Sequence, residues 1–330
     1  MFGLKKVADT AGHATSYYAA TANWQTDYPQ LQCDIEADIV VVGGGFTGVN
    51  TALELAERGY SVVLLEGNRI AWGASGRNGG QVIGGIGQGA ERFRKRIGEA
   101  GSRCIYRMGL EANAIIRNRV AKYDIDCDLK WGYCDVAIKP RHMKEYARWK
   151  VDEAGRGNPA ELRILSREEL REYVNSEAYC GGLYNPDNGH LHPLNLCIGE
   201  ARAAQALGTR IYEQSRAVEI VYGARPRVKT ARGSVQAARV VLAGNAYLGD
   251  LVPKLASRVL PACSCVIATA PLTESQADEV LPGDVAVCDP RTALDYFRLS
   301  ADRRMLFGGL SNYTGLEPKH LEATMRGKME

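Results

Sequence analysis

Three glycines and one carboxylate carry the clearest chemistry in this chain. Gly43, Gly45 and Gly48 form G-x-G-x-x-G directly after the β-branched run Ile39–Val42. Gly43 permits a tight turn out of a strand, Gly45 lets a phosphate approach the backbone, and Gly48 lets the following helix pack closely on the sheet. A helix starting here turns unpaired N–H groups and its positive dipole end toward the phosphates. Glu66 lies about 20 residues further on, where an acceptor for a ribose diol belongs. Strand, glycine turn, helix and acid together predict a dinucleotide site. The carboxylate favours a ribose with a free 2′-hydroxyl, hence FAD or NAD over NADP.

These groups need a scaffold, and the flanking residues supply one. Val49, Ala52, Leu53 and Ala56 recur at helical spacing, and Gly59 stands where a C-cap is expected. Ser61–Leu65 is the next strand, closed by Glu66. Residues 67–89 then form a long glycine-rich loop that contains Ile70, Trp72, Val82 and Ile83. Apolar residues of this kind predict an ordered loop lying close to a ligand rather than a linker. A second turn, Ala243-Gly244-Asn245, ends the apolar strand at ARVVLAG and invites the same close approach.

Further along, helices are expected over 90–123, where Arg92, Arg94, Lys95 and Arg96 form a solvated basic face. A strand follows at Cys127–Ile138, then a charged helix at 141–155 and a helix opened by the capping box Ser166–Glu169. Asn185–Gly189 carries turn chemistry, and a helix is expected from Leu194 to Leu207. Short strands fill 209–241. Longer antiparallel strands begin at 257, with a turn at Ala301–Arg303. The nucleotide unit is thus interrupted by one strand and followed by a second sheet, which implies two discontinuous domains wound through each other.

Composition is that of an ordinary globular protein, 45% hydrophobic and 24% charged. A net charge of +3 is too small to imply a nucleic-acid partner. No apolar run approaches the roughly 18 residues of a membrane helix. The nine cysteines are scattered without a C-x-x-C pair, as expected of reduced, mostly buried thiols in a cytoplasmic protein. No metal site is expected. His190 and His192 sit two apart in an extended segment and project to opposite faces, so a shared ion does not fit them. Either histidine alone suits a structural role as well as a site role. Oligomeric state leaves no signal.

The segments SYYAATAN, GASGRNGGQ, GHLHPLNL, VLAGNAYLGD and LDYFRLSADRRMLFGG, together with the glycine motif, resemble the FAD-dependent D-amino-acid oxidase-like family of amine oxidoreductases. The resemblance runs from about Ser16 to Gly309. It implies an α/β chain with α+β elements: a Rossmann-like FAD-binding domain interleaved with an antiparallel-sheet substrate domain. An N-terminal arm would occupy 1–34, the FAD-binding domain 35–125 and 188–252, and the substrate domain 126–187 and 253–330. In the FAD site, Phe46 and Thr47 would join Gly43, Gly45 and Gly48 in the phosphate turn. Glu66 would bind the adenosine ribose with Asn68 and Arg69 beside it. Ser75, Arg77, Asn78, Gly79, Gly80 and Gln81 match the loop that runs alongside the flavin. Val218 matches a backbone contact to adenine, and Ala243 and Gly244 match the turn near the pyrophosphate.

The reaction implied is oxidation of a C–N bond, with a hydride moving from the carbon beside a neutral amine to flavin N5. The imine is hydrolysed to aldehyde and ammonia, and O2 reoxidises the flavin to give hydrogen peroxide. Tyr296 and Arg298 share one face of a strand by period-2 spacing. Arg298 could hold a substrate carboxylate bidentately or form a cross-strand salt bridge. Tyr296 could wall the flavin pocket or simply pack. His192 could tune the local proton balance or serve structurally. Two alternatives stay open: an NAD-dependent dehydrogenase, which leaves GASGRNGGQ without a purpose, and a non-catalytic FAD- or partner-binding remnant. Family members continue past Met325–Glu330, where this chain ends. The further segment supplies a last strand, a glycine-rich turn and a helix facing the flavin pyrimidine. The expectation is therefore an open flavin pocket and weak or absent FAD retention.

Overall fold

The structure is a computed structural model and describes residues 12–86, 90–313 and 320–329. The end of the glycine-rich loop, 87–89, lies outside the described residues. In chain order the strands are β1 (Ile35–Val42), β2 (Val62–Leu65), β3 (Gln81–Val82), β4 (Lys130–Val136), β5 (Arg163–Leu165), β6 (Gly182–His190), β7 (Arg210–Tyr212), β8 (Glu219–Val221), β9 (Arg227–Lys229), β10 (Ser234–Leu242), β11 (Cys263–Ala268), β12 (Ala286–Cys288), β13 (Tyr296–Leu299) and β14 (Met305–Asn312). The helices are α1 (Tyr17–Ala20), α2 (Phe46–Glu57), α3 (Arg94–Lys122), α4 (Pro140–Gly155), α5 (Arg167–Leu170), α6 (Pro193–Ala206), α7 (Pro253–Ala256), α8 (Glu274–Val280) and α9 (Leu321–Met329).

The first sheet runs β7-β2-β1-β10-β9-β8. β1 is parallel to both β2 and β10, and β7 is parallel to β2. A strand flanked on both sides and covered on both faces must be apolar throughout, and Val40 and Val41 are fully buried. On one face, Val49 and Ala52 of α2 pack with Leu194, Cys197 and Ile198 of α6. On the other face Leu31, from the arm, packs with Val40, Val63, Val228 and Val235. The arm residues 23–31 are fastened by side-chain bonds to Asp126 O, Gln214 O and Ser215 Oγ.

The second sheet runs β11-β14-β13-β12-β4-β6-β3, with β5 on β6. Three expectations change here. The sheet is mixed rather than antiparallel, because β12 lies parallel to β4. Asn185–Gly189 does not turn the chain but continues inside β6. Between paired rows the β4 side advances from Trp131 to Tyr133 while the β6 side advances from Gly189 to Asn185. The turn-forming residues are absorbed as a bulge, with Asn185 Oδ1 accepting from Asp187 N at 2.9 Å. The third change is at β3, which leaves the glycine-rich loop to pair with Gly189 and His190 in the second sheet. The chain therefore crosses between sheets inside a stretch expected to belong wholly to the first domain. The basic start of α3 also differs: the helix kinks at Gly98, whose φ is 70°.

The nine cysteines are free; Cys127, Cys134, Cys197 and Cys288 are buried, Cys33 is exposed and the rest lie between. Among the described residues no helix is long and apolar enough to cross a membrane.

Candidate active site

The glycine turn sits at the carboxyl end of β1, where open α/β sheets bind their ligands. Gly43 has φ 111°, and a Cβ there would stand 2.5 Å from Ala243 O. A Cβ on Gly48 would overlap Gly43 O. These two glycines are set by the fold: the turn, the helix and the Ala243–Gly244 turn are in direct contact. Gly45 differs, because its added Cβ would meet only the Ser75 hydroxyl, at 2.8 Å.

Helix α2 opens with no side-chain cap, and Ser75 Oγ accepts the Phe46 N–H at 2.9 Å. Among the described residues, no protein acceptor is provided for the N–H groups of Gly45, Thr47 and Gly48. A glycine cradle edged by orphaned donors at a helix N-terminus has the chemistry of a pyrophosphate site. Glu66 accepts from Gly44 N at 2.6 Å and from Asn68 N at 2.8 Å. A carboxylate offers about four acceptor positions, so lone pairs remain for a ribose diol. Burial raises its pKa, while the two backbone bonds and Arg216 pull it back. Ser215 N donates to Glu66 O at 2.8 Å and thereby ties the next segment to this corner. Val218 follows on that segment, just ahead of β8 rather than inside a strand. It is 57% exposed, with its N–H given to Lys229 O. These residues fit the adenosine and pyrophosphate parts of FAD.

Arg69 turns away from the ribose corner to Glu213 (2.8 Å) and Asp27 (3.2 Å). Glu213 is fully buried and also accepts from Ile70 N at 2.7 Å and from the Thr26 hydroxyl. Sequence reasoning missed this anchor. An acid closing β7, as Glu66 closes β2, was its one signal.

Beyond Ser75 the loop heads to the second sheet. Arg77 donates to Tyr247 OH at 3.1 Å and lies over the Trp72 ring. Asn78 folds the loop on itself, donating to Ala74 O and Ser75 O and accepting from Gly80 N at 2.8 Å. Gln81 donates to Val287 O at 3.0 Å. Gly79 lies against the Tyr296 ring and Gly80 against the Arg298 guanidinium, so the shared face of Tyr296 and Arg298 meets the loop.

Arg298 is 2% exposed. It donates to Gly79 O (2.9 Å), Leu299 O (2.9 Å), Leu191 O (2.8 Å) and the Tyr18 hydroxyl (3.0 Å). With four bonds to the protein itself, its fork is spent on the loop, on the approach to α6 and on α1. This geometry is neither a cross-strand salt bridge nor an open carboxylate clamp. Tyr18, part of the arm, is a partner that sequence spacing did not reveal.

His192 caps α6: its Nδ1 accepts from Asn195 N at 3.2 Å and its Nε2 lies 3.1 Å from Thr21 Oγ1. Thr21 donates onward to Tyr17 O, which places the ring proton on Nε2. Burial, then the Arg298 charge, lowers its pKa to about 4, so the ring is neutral and held on both sides. His190 is lowered to about 3 for the same two reasons, with Nε2 at 3.0 Å from Asp284 O. Among the described residues no group of metal-ligating side chains comes together.

Residues 38–328 match the profile of the family described as FAD dependent oxidoreductase (DAO). The chain is 41% identical over 318 residues to gamma-glutamylputrescine oxidoreductase of Escherichia coli, covering 96% of this chain and 74% of that one. It is 40% identical over 323 residues to the probable oxidoreductase OrdL of Haemophilus influenzae, again covering 96% and 74%. Among solved structures, it resembles the L-amino acid deaminase from Proteus vulgaris with a TM-score of 0.68 at 23% identity, covering 86% of this chain and 63% of that chain. It also resembles glycine oxidase from Geobacillus kaustophilus with a TM-score of 0.64 at 22% identity, covering 84% and 72%. The cofactor is FAD, which removes the NAD-dependent alternative. The chain belongs to the DAO family of FAD-dependent oxidoreductases that act on amines.

Proposed function

We propose that this chain oxidises the C–N bond of γ-glutamylputrescine or a closely related amine. The observation that carries the reading is the meeting of Gly79 and Gly80 with Tyr296 and Arg298. It joins the dinucleotide turn to one face of the second sheet, so a flavin running along the loop ends against that face. Identity of 41% to gamma-glutamylputrescine oxidoreductase supports the substrate class. When bound, FAD supplies the acceptor for the hydride leaving the amine-bearing carbon, and O2 takes the electrons on as hydrogen peroxide.

The chain's own residues bind, orient and exclude water. Gly45, Thr47 and Gly48 hold the pyrophosphate with their free backbone N–H groups, Gly43 and Phe46 set the turn through their bonds to Leu65 O and Ser75 Oγ, and Ala243 and Gly244 close the cradle from the side. Glu66, with Asn68 locking its carboxylate, takes the ribose, and the backbone at Val218 lies toward the adenine. Ser75, Arg77, Asn78 and Gln81 shape the loop beside the flavin. Tyr296 walls the pocket. Arg298 fixes the loop carbonyl at Gly79, and neutral His192 fixes the start of α6; both act by positioning. The substrate carbon is thereby oriented rather than activated by an acid–base pair.

The test is direct. Purified chain saturated with FAD is given γ-glutamylputrescine, and peroxide and aldehyde are measured. Equimolar release of both supports the proposal. An FAD-loaded protein that turns over neither this amine nor other short primary amines refutes it.

A further inference from the structure

The face of the second sheet that meets Gly79 and Gly80 carries a carboxylate the reading above does not use. Register places Asp135 of β4 opposite Cys288 of β12, Cys288 opposite Tyr296 of β13, and Tyr296 opposite Gly308 of β14. Directly opposed residues project to one face. Asp135 therefore shares the face of Tyr296, two strand spacings or about 10 Å away along the row. Tyr133, two residues earlier, points the same way and packs with Ala286, Cys288 and Tyr296. At the far end α4 covers the sheet, and Tyr146 donates its hydroxyl to Val136 O at 3.1 Å.

Asp135 is half-buried beside these side chains. Among the described residues its carboxylate has one hydrogen bond, a long 3.4 Å contact from the Tyr133 hydroxyl, and no ion pair. The other carboxylates nearby are matched: Asp289 is paired with Arg291, and Asp295 with Arg291 and Lys328. A carboxylate drawn from water without a partner costs stability, and a cation that pairs with it regains it.

We propose that Asp135 anchors an anionic subsite, walled by Tyr133, Cys288 and Tyr296, that binds the ammonium head of a linear alkylamine. The assignment rests on the reading that the flavin lies along Gly79 and Gly80. Burial raises the carboxyl to about 7, with the Tyr133 bond opposing it, so ionisation falls in the neutral range. The titratable groups facing it from β4, β12, β13 and α4 are Tyr133, Cys288, Tyr296 and Tyr146, and the one cation on the same face of β13, Arg298, is held by its four bonds to the protein. Burial pushes all four titratable groups upward, Cys288 to about 12, and leaves them uncharged there.

The test uses the full chain and two probes of one shape, n-butylamine and neutral butyramide, titrated calorimetrically into wild type, Asp135→Asn and Asp135→Glu. The expected result is a loss of butylamine affinity of about tenfold or more in Asp135→Asn, equivalent to about 1.4 kcal/mol. Asp135→Glu retains most of it, and butyramide is unaffected. Wild-type affinity for butylamine rises from about pH 6 to about pH 8, and the Asn variant is flat. Thermal melting of Asp135→Asn at or above the wild-type temperature shows that the carboxylate is not a structural partner. Unchanged butylamine affinity, equal loss for both probes, or a lower melting temperature with butylamine affinity intact overturns the proposal. Flavin absorbance after adding FAD reports separately. Its absence with the butylamine difference retained refutes the flavin reading and leaves the subsite standing.

Discussion

Replacing Arg298 separates a positioning role from a substrate-binding one. Arg298→Met removes donors from three backbone carbonyls and the Tyr18 hydroxyl. A buried acceptor left unpaired costs about 1–3 kcal/mol. The Tyr18 hydroxyl can rotate and the Gly79 carbonyl lies on a half-buried loop, so both can find water. Leu191 O and Leu299 O cannot, because both residues are buried. With two such carbonyls left unpaired, the expected loss is about 2–6 kcal/mol. At about 2–4 °C per kcal/mol, melting falls by on the order of 10 °C. Arg298→Lys keeps the charge but replaces a planar fork with one point, so it recovers less than half of the loss. Differential scanning calorimetry gives the melting temperatures and FAD titration gives loop integrity, which weakens in parallel. A Met variant that melts at the wild-type temperature, binds FAD normally and shows only a raised KM refutes this reasoning. Arg298 would then face the substrate.

The glycines divide by what surrounds them. Gly48→Ala, forced against the Gly43 carbonyl, costs about 2 kcal/mol or more in denaturant unfolding. Gly45→Ala meets only the movable Ser75 hydroxyl, so it leaves stability nearly unchanged and weakens FAD binding by about tenfold or more, read by flavin fluorescence. Glu66→Gln keeps an acceptor for Gly44 N but loses its charge, and lowers FAD affinity by about tenfold. Glu200 is fully buried beside Asn50, and burial raises its carboxyl to about 7. Its contribution is complete below the unfolded value and is lost as pH rises through about 7. Stability therefore falls by up to about 3 kcal/mol between about pH 4.5 and about pH 7. Glu200→Gln flattens that slope in urea titrations, and an unchanged slope contradicts the assignment.

The glycine turn and its corner carboxylate were legible because their determinants are local. Gly43, Gly45, Gly48 and Glu66 lie within one strand–helix–strand unit, and the glycines at 43 and 48 are demanded by the contacts they make. Period-2 spacing likewise put Tyr296 and Arg298 on one face. The second sheet was less legible because its pairings are distant. The parallel match of β12 to β4 joins residues about 150 apart in the chain, and no local pattern encodes it. Asn185–Gly189 has the composition of a turn, but Asn185 pairs with Tyr133 and Gly189 with Trp131 and Val82, which holds the stretch inside a strand as a bulge. Arg298 shows the same limit: its acceptors come from the glycine loop, the approach to α6, its own strand and α1. His192 carried a usable signal in the proline that follows it, which suits the first turn of a helix that the histidine caps.

The central claim is that the turn at Gly43–Gly48, Glu66 and the loop through Gln81 form one FAD site facing the second sheet. Titrating the purified chain with FAD and with NAD+, followed by quenching of flavin and tryptophan fluorescence, tests it most directly. The account predicts saturable FAD binding that Gly45→Ala weakens and NAD+ does not displace. No saturable FAD binding, or displacement of FAD by NAD+, contradicts it.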